Sequence, residues 1–426
     1  MGLDFLAHPF WDRYIEYEER LEAHDKVFQL LGRIMLIPLH QYARYFERYR
    51  AMAANQPISS LAEEEMIAAL RQEIEQEGGA KPKQNADKER EMRQRLDNYH
   101  LEIFQRTQTE TTKRWTYEQE IKRPYYHVTE LDEPQLLNWR KYLDFEEAEG
   151  DYKRTKFLYE RCLVTAANYD EFWLRYARWM RVKDGKEDEV RNIYQRASCL
   201  FVPISRPLVR LRYAHFEDSL GYMAIARDIL EAILMNYPSH LETITSLVNL
   251  HRRRQGIDLA IQVLKGYLES PDTAAHTRGA LVAEWARLVS EVKGQPDEAR
   301  KIYQGHQPWY PDCRPFWSQW LNFELRQPSS ATQEEGTHKR VKAVFDGIRR
   351  SQLPPTVIEE IAEDYMVYLE GRGGPDSMKE YLEVDMELFG PLSVRVEMQG
   401  KLVDDGQDTV SLKGTALENG YPGVDA

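Results

Sequence analysis

The sequence is short of cysteine, of long apolar runs and of positive charge, and each shortage removes a class of function. Only three of its 426 residues are cysteines, Cys162, Cys199 and Cys313, with no Cys-x-x-Cys pair and no two histidines at ligand spacing. That argues against a disulfide framework or zinc module and for a reducing compartment. Cys162 and Cys199 each follow an apolar helical stripe, so both are expected as small buried hydrophobes. No apolar run approaches the ~20 residues that a membrane span needs. The N-terminus lacks a basic region followed by an apolar core, so no signal peptide is expected and the chain reads as soluble and intracellular. Lys and Arg number 57 against 70 Asp and Glu, a formal charge of -13. Broad nucleic-acid affinity comes from neutralising phosphates with clustered cations, so direct RNA contact is expected to be minor and protein partners to dominate.

Catalytic and cofactor motifs are missing as well. The richest glycine cluster, Gly371-Arg372-Gly373-Gly374-Pro375, has a Pro and no following Lys-Ser/Thr, which makes it a helix–helix turn and not a phosphate loop. There is no His-Glu-x-x-His and no Gly-x-Ser-x-Gly. The 11 histidines are scattered, and His215 reads as a helix-surface residue. The carboxylates fall at solvent-face spacing or at one recurring position, which gives no basis for an acid/base pair. The expectation is a protein that is not an enzyme, with no catalytic residue, metal or cofactor.

What the chain does have is aromatic residues in a pattern. Trp, Tyr and Phe make up 11% of it, with 9 Trp and 25 Tyr. Trp139, Tyr142, Phe145 and Glu146 are followed 34 positions later by Trp173, Tyr176 and Trp179, and a further 37 on by Arg210, Tyr213, Phe216 and Glu217. Trp11, Tyr14, Tyr17 and Glu18 repeat the pattern, as do Trp317, Trp320, Phe323 and Glu324. Each copy precedes a second segment such as Phe157-Leu158-Tyr159-Glu160-Arg161 or Val190-Arg191-Asn192-Ile193-Tyr194-Gln195-Arg196. At about 100° per residue, positions i, i+3 and i+6 form one helix face. Each unit is therefore an aromatic-faced helix followed by an Ala/Val/Ile/Tyr-faced helix, and stacked pairs bury both faces in one continuous core. The Glu at i+7 points partly inward and needs a partner. Arg161 is the candidate for Glu146, although Met180 replaces the Glu in the next unit.

A two-helix period near 34 also suits the tetratricopeptide repeat, but aromatics at three positions plus a Glu resemble the half-a-TPR (HAT) signature. The fold class is all-α, an α-α superhelix of HAT/TPR-like helix pairs. Residues 1–50 read as HAT repeats, 51–97 as a charged and partly disordered insertion, and 98–133 as a connecting helix and turn. Residues 134–389 read as the HAT array and 390–426 as a disordered tail. Within the insertion, Glu63 to Glu77 has helical periodicity and Gly78 to Lys88 the composition of disorder, before a charged helix from Lys88 to Lys122. An array is expected to end in polar caps, whereas this chain opens on a full aromatic helix, as if shortened or docked there.

Two clusters are candidate partner contacts. Lys122-Arg123-Pro124-Tyr125-Tyr126-His127 mixes charge and aromatics at a helix-ending Pro. Arg252, Arg253 and Arg254 lie at a junction between two helices, where they also complement the helix dipole.

Gly2-Leu3-Asp4-Phe5, Phe10 to Glu18, and Lys113-Arg114-Trp115-Thr116-Tyr117-Glu118 through Ile121-Lys122-Arg123-Pro124-Tyr125-Tyr126-His127-Val128 resemble segments of the pre-mRNA-processing factor 39 family. The run Trp139 to Glu146, Leu158 to Cys162 and Glu171 to Trp173 continues the similarity, which covers most of residues 1–389 in order. The resemblance implies a nuclear splicing scaffold associated with proteins of the U1 small nuclear ribonucleoprotein (snRNP), acting at the 5′ splice site. It also implies a homodimer, or a heterodimer with a related HAT protein, through C-terminal repeats including Phe316 to Glu324 and Ile358 to Phe389. The family carries a further N-terminal repeat set that this chain is expected to lack. Three other readings fit less well. Another RNA-processing HAT protein, of 3′-end cleavage or ribosomal RNA maturation, would not carry the KRW…IKRPYYHV block. A prenyltransferase-type α-subunit would need a partner to supply metal and chemistry. A co-chaperone would show a Lys/Arg carboxylate clamp where aromatics stand here.

Overall fold

A computed structural model describes residues 2–77, 85–328 and 334–390, and among these the chain forms nineteen α-helices and no strand. It divides into two compact units, Met1–Tyr237 and Pro238–Ala426.

The first unit holds α1 (His8–Arg20), α2 (His24–Ile34), α3 (Tyr42–Ala53), α4 (Glu64–Glu77) and α5 (Asn85–Gln119). It continues with α6 (Glu133–Glu149), α7 (Tyr152–Thr165), α8 (Asp170–Arg181), α9 (Glu187–Arg196), α10 (Leu208–Ser219) and α11 (Met223–Asn236). Aromatic-faced first helices (α6, α8, α10) alternate with second helices (α7, α9, α11), and short polar turns set the hairpins. At the α6–α7 turn, Gly150 takes a left-handed φ of 80°, and its N–H bonds back to the Glu146 carbonyl. Only glycine adopts that conformation at little cost. The next residue, Asp151, caps α7 by accepting from the Lys153 and Arg154 amides at 2.8 and 3.1 Å, which satisfies donors the helix start leaves open.

The second unit holds α12 (Leu241–Gln255), α13 (Ile257–Glu269), α14 (Ala275–Arg287), α15 (Pro296–His306), α16 (Arg314–Leu325), α17 (Glu334–Arg349), α18 (Pro355–Arg372) and α19 (Ser377–Phe389). Of the Gly371–Pro375 cluster, Gly371 and Arg372 end α18, and Gly373, Gly374 and Pro375 form the expected turn to α19. α14 and α16 approach closely at Gly279, where an added methyl group would sit 2.6 Å from Cys313 Sγ and 3.1 Å from the Tyr310 ring. Cys313 is fully buried and cannot swing aside. Gly279→Ala is therefore expected to destabilise this unit by about 1–3 kcal/mol through overpacking, more than the helix-propensity gain of about 1 kcal/mol. Thermal denaturation reads this directly, and a raised melting temperature would refute the close packing.

The insertion departs from expectation. The charged helix begins at Asn85 and ends at Gln119, so Asn85 to Lys88 are helical; residues 78–84, also expected to be disordered, lie outside the described residues. The boundary at residue 97 cuts through this single helix, which at 1.5 Å per residue is about 50 Å long. Its charge hides a sparse apolar stripe: Met92 and Leu96 join Ile74 of α4 in the core of the first helices, and the Thr107 hydroxyl donates to the Met35 carbonyl at 2.8 Å. Farther along, Tyr117 packs on the core of α6 to α10. α5 thus connects the two cores of this unit. Of the tail expected from residue 390, residues 391–426 lie outside the described residues.

Candidate functional site

Most of the chain's chemistry is spent in one repeated arrangement that joins each helix pair to the next. Five helices carry a ring at one repeated position: Tyr117 on α5, Tyr159 on α7, Tyr194 on α9, Tyr303 on α15 and Phe345 on α17. Each stacks on the middle aromatic of the following first helix. Tyr117 meets Tyr142 at 5.0 Å, Tyr159 meets Tyr176 at 4.6 Å, and Tyr194 meets Tyr213 at 5.5 Å. Tyr303 meets Trp320 at 5.4 Å, and Phe345 meets Tyr365 at 4.1 Å. The third aromatic of the pattern, Phe145, Phe216 or Phe323, tilts against the same ring at 5.6–5.8 Å. Such pairs contribute about 0.5–1.5 kcal/mol each beyond their buried area.

Three residues before that ring comes an arginine, and it holds the pattern Glu of the next first helix. Arg114 donates to Glu146 at 2.6 and 3.1 Å, Arg191 to Glu217 at 2.7 and 3.2 Å, and Arg300 to Glu324 at 2.8 Å. All three glutamates are buried. In α7 the corresponding residue is Lys156, and the next first helix carries Met180 in place of the Glu, so the anion is lost and the forked cation is replaced by a lysine. The expected Glu146–Arg161 pair does not form. Glu146 takes Arg114 and, at 3.4 Å, Arg154. Arg161 instead donates to Glu118 of the preceding second helix at 2.6 and 2.8 Å and pairs with Asp4 at 3.1 Å. The reason is direction: the cation three places before the ring faces the next pair, and the arginine two places after it faces the previous one.

That second contact also repeats. Glu118 accepts from the Tyr142 hydroxyl and Arg161, and Glu160 accepts from the Tyr176 hydroxyl at 3.0 Å and from Arg196 at 3.0 and 2.7 Å. Burial raises the Glu160 pKa, but Arg196 and Tyr176 outweigh it and hold the carboxyl below its usual range. The same arginines lie over the first tryptophan of their own unit, Arg161 over Trp139 at 6.0 Å and Arg196 over Trp173 at 5.2 Å. The indole N–H of Trp173 donates to the Ala167 carbonyl at 2.7 Å, and that of Trp317 to the Tyr310 carbonyl at 3.1 Å. Arg210, which replaces the tryptophan in α10, donates instead to the Val202 and Pro203 carbonyls of the preceding turn.

Of the expected core residues, Trp11, Trp139, Tyr142, Glu146, Trp173, Tyr176, Tyr213, Phe216, Trp317 and Trp320 are buried, and Phe145, Arg161 and Phe323 are half-buried. Tyr14 is the correction: it is exposed, as is Tyr17. No described helix precedes α1 to supply the ring on which the middle aromatic would stack. Cys199 is a second correction. It lies exposed in the π-turn Ala197–Phe201 that ends α9, where the apolar stripe has run out. Burial pushes the thiols of Cys162 and Cys313 up, out of the reactive range. His215 is on the surface as expected.

The candidate contact residues divide into framework and display. Arg123 donates to the Thr129 hydroxyl and carbonyl at 2.9 and 3.0 Å and pins the turn that leaves Lys122, Tyr125, Tyr126 and Val128 exposed. The turn is anchored where the Tyr169 hydroxyl accepts from the Leu131 amide at 2.7 Å. Beside it lies a groove of about 230 Å³ bordered by Val128, Asn168, Pro203 and Arg206. The upstream part of the same sequence block is structural: Trp115 packs between Phe5 and His40, with ring centres 5.8 and 4.9 Å away. Arg252 is half-buried against Asn249, while Arg253 and Arg254 are exposed at the C-terminus of α12. Among the described residues no group of three His, Cys, Asp or Glu could hold a metal, and no helix is long and apolar enough to cross a membrane.

Two family profiles match the chain: the PRP39 N-terminal HAT repeat over residues 1–51 and the PRP39 C-terminal HAT repeat over residues 112–253. Helices before the insertion thus match the N-terminal description, and those from the end of α5 to α12 the C-terminal one. The chain is 46% identical over 440 residues to pre-mRNA-processing factor 39 of Schizosaccharomyces pombe, covering 100% of this chain and 72% of that relative. It is 31% identical to the Xenopus laevis protein of the same name, covering 71% of this chain and 49% of the relative, so it spans about half of that protein's length. A crystal structure of CSTF-77 superposes with a TM-score of 0.59 at 12% identity, covering 91% of this chain and 74% of that one. At that identity the likeness shows the fold alone, an all-α superhelix of paired helices.

Proposed function

Because the chain belongs to the pre-mRNA-processing factor 39 family, we propose that it is a non-catalytic scaffold of pre-mRNA splicing, which works in the nucleus and bridges protein subunits of the U1 snRNP at 5′ splice-site recognition. The observation that carries this reading is the 46% identity over the whole chain. The array is consistent with it. Its repeated chemistry, stacked rings and buried Arg–Glu pairs, fixes one helix pair against the next. A protein built in that way acts through its surfaces.

Two surfaces suit such a role. The turn with Lys122, Tyr125, Tyr126 and Val128 presents aromatic and basic groups on a pinned frame, the composition that carries binding energy at interfaces. Met378, Leu382 and Met386, four residues apart along α19, are exposed and share one apolar face of that helix. That face supports dimerisation through the C-terminal repeats, with a second copy or a related HAT protein.

Recovery of the tagged chain from nuclear extract at moderate salt is expected to bring down the U1 RNA with its particle proteins. Tyr125→Ser combined with Tyr126→Ser, both solvent-exposed, is expected to reduce that recovery while leaving the melting temperature unchanged. Recovery of 3′-end cleavage or pre-ribosomal factors in place of U1 would refute the splicing assignment.

A further inference from the structure

One interface departs from the others in charge. Between α6 and α8, Arg175 reaches back and is neutralised by two acids one helical turn apart on α6. It donates to Asp144 at 2.6 Å and to Glu147 at 2.9 Å, and Tyr159 of the intervening α7 completes the cluster, its hydroxyl donating to Glu147 and accepting from Arg175. In the pattern, Arg175 stands two places after the first aromatic, Asp144 five places after and Glu147 eight.

The next interface, α8 with α10, places Arg212 at the position of Arg175 and Tyr194 at that of Tyr159. Where the two acids stood, α8 carries Arg178 and Arg181. None of the three arginines has a carboxylate within ion-pairing distance among the described residues, and all three are exposed. The repeat places them about Tyr194 as Asp144, Glu147 and Arg175 stand about Tyr159, and their charges oppose the upward push that burial gives the Tyr194 hydroxyl. Arg178 and Arg181 lie in the last turn of α8, whose dipole offsets part of the repulsion. No such offset applies to Arg212, near the start of α10. A chain with a formal charge of -13 thus keeps three uncompensated guanidinium groups around one tyrosine.

We infer that Arg178, Arg181 and Arg212, with the Tyr194 hydroxyl, form a docking site for an acidic helix of a partner protein, one that presents two carboxylates one turn apart. The chain itself shows such a pair at work, because Asp144 and Glu147 on α6, one turn apart, together hold Arg175, the equivalent of Arg212. Guanidinium forks match carboxylates in bidentate geometry. Exposed Val182 offers an apolar contact at the rim. A nucleic-acid backbone fits less well: Asp184 after α8 and Glu187 and Asp188 in the first turn of α9 repel a continuous polyanion running past Arg181, whereas a helix with a single acid pair need not pass them. Nothing in this geometry depends on the splicing role.

The test uses the full chain and a fluorescent, alanine-based helical peptide with one Asp-x-x-Glu pair, at low ionic strength. An Asn-x-x-Gln peptide and a short labelled oligouridine serve as comparisons. The acidic peptide is expected to bind in preference to both. The double substitution Arg178→Asp with Arg181→Glu, which restores the acid pair of α6, is expected to weaken that binding about ten-fold or more. Because Arg212 would then gain its counter-ions, the same variant is expected to melt higher, so loss of binding cannot be put down to unfolding. Equal binding of the two peptides, unchanged binding to the double variant, or tighter binding of the oligouridine through the same arginines would each overturn the inference.

Discussion

Arg114→Ala is expected to destabilise the first unit by about 3–5 kcal/mol, because it leaves Glu146 charged in the core without its main partner. Both side chains are almost fully removed from water, at 2% and 1% exposure, and two hydrogen bonds join them. Two neighbours soften the loss. Arg154 stands 3.4 Å from Glu146, and Glu110, the other carboxylate on Arg114, retains Lys113 at 2.9 Å. The value should therefore fall in the lower half of that range. Urea denaturation followed by circular dichroism measures it, and a loss below about 1 kcal/mol would mean that Glu146 is already solvated or neutral in the folded chain.

The companion experiment asks what the pair is for. Arg114→Leu with Glu146→Met removes both charges and is expected to return most of the stability, to within about 1 kcal/mol of the parent, because a buried ion pair barely outperforms well-packed apolar groups. The chain already contains an interface without the acid: Met180 is fully buried at the Glu position, with Lys156 where the Arg would stand. What the double variant should lose is register. A stack of similar helix pairs needs contacts that fail when a pair is displaced, and an Arg that must meet one particular Glu provides that penalty.

The repeat was legible in the sequence because its dominant signal is spacing, and spacing needs no partner to be seen. Trp139, Tyr142, Phe145 and Glu146 fall on one face of any α-helix, so the face, the helix pairing and the fold class follow from position alone. The partners were not legible in the same way. Arg161 and Arg114 are both within reach of Glu146 in sequence terms, and only the packing direction of α5 and α7 decides between them. The paired change of Glu to Met180 and Arg to Lys156 was the available signal, visible once second helices are aligned to one another and not only to their own first helices. Tyr14 failed for a related reason: periodicity says which face a residue occupies and not whether anything covers that face. α5 was blurred because its apolar residues, Met92 and Leu96 among them, are too sparse among charges to outweigh the composition.

Trp173→Ala is expected to cost about 3–5 kcal/mol, the range for removing a fully buried large aromatic that cannot be replaced by collapse. Three contacts prevent that collapse. The indole N–H is bonded to the Ala167 carbonyl, its ring stacks on Phe201 at 5.6 Å, and Arg196 covers its face. Arg196 also holds Glu160 of the preceding second helix, so loss of the indole loosens a link between neighbouring pairs as well as a core. In a stack where each pair contacts only its neighbours, the damage should fall off with distance along the chain. Hydrogen exchange is expected to show lost protection in α8 and α9 first, then in α7 and α10, with α1 and α2 little changed. A uniform loss over the whole first unit would mean that its helix pairs fold as one cooperative block, and the additive, neighbour-by-neighbour account of the array would fail. The graded result would locate its stability in the repeated Tyr–Tyr, Arg–Glu and Arg–Trp contacts, each acting between adjacent pairs.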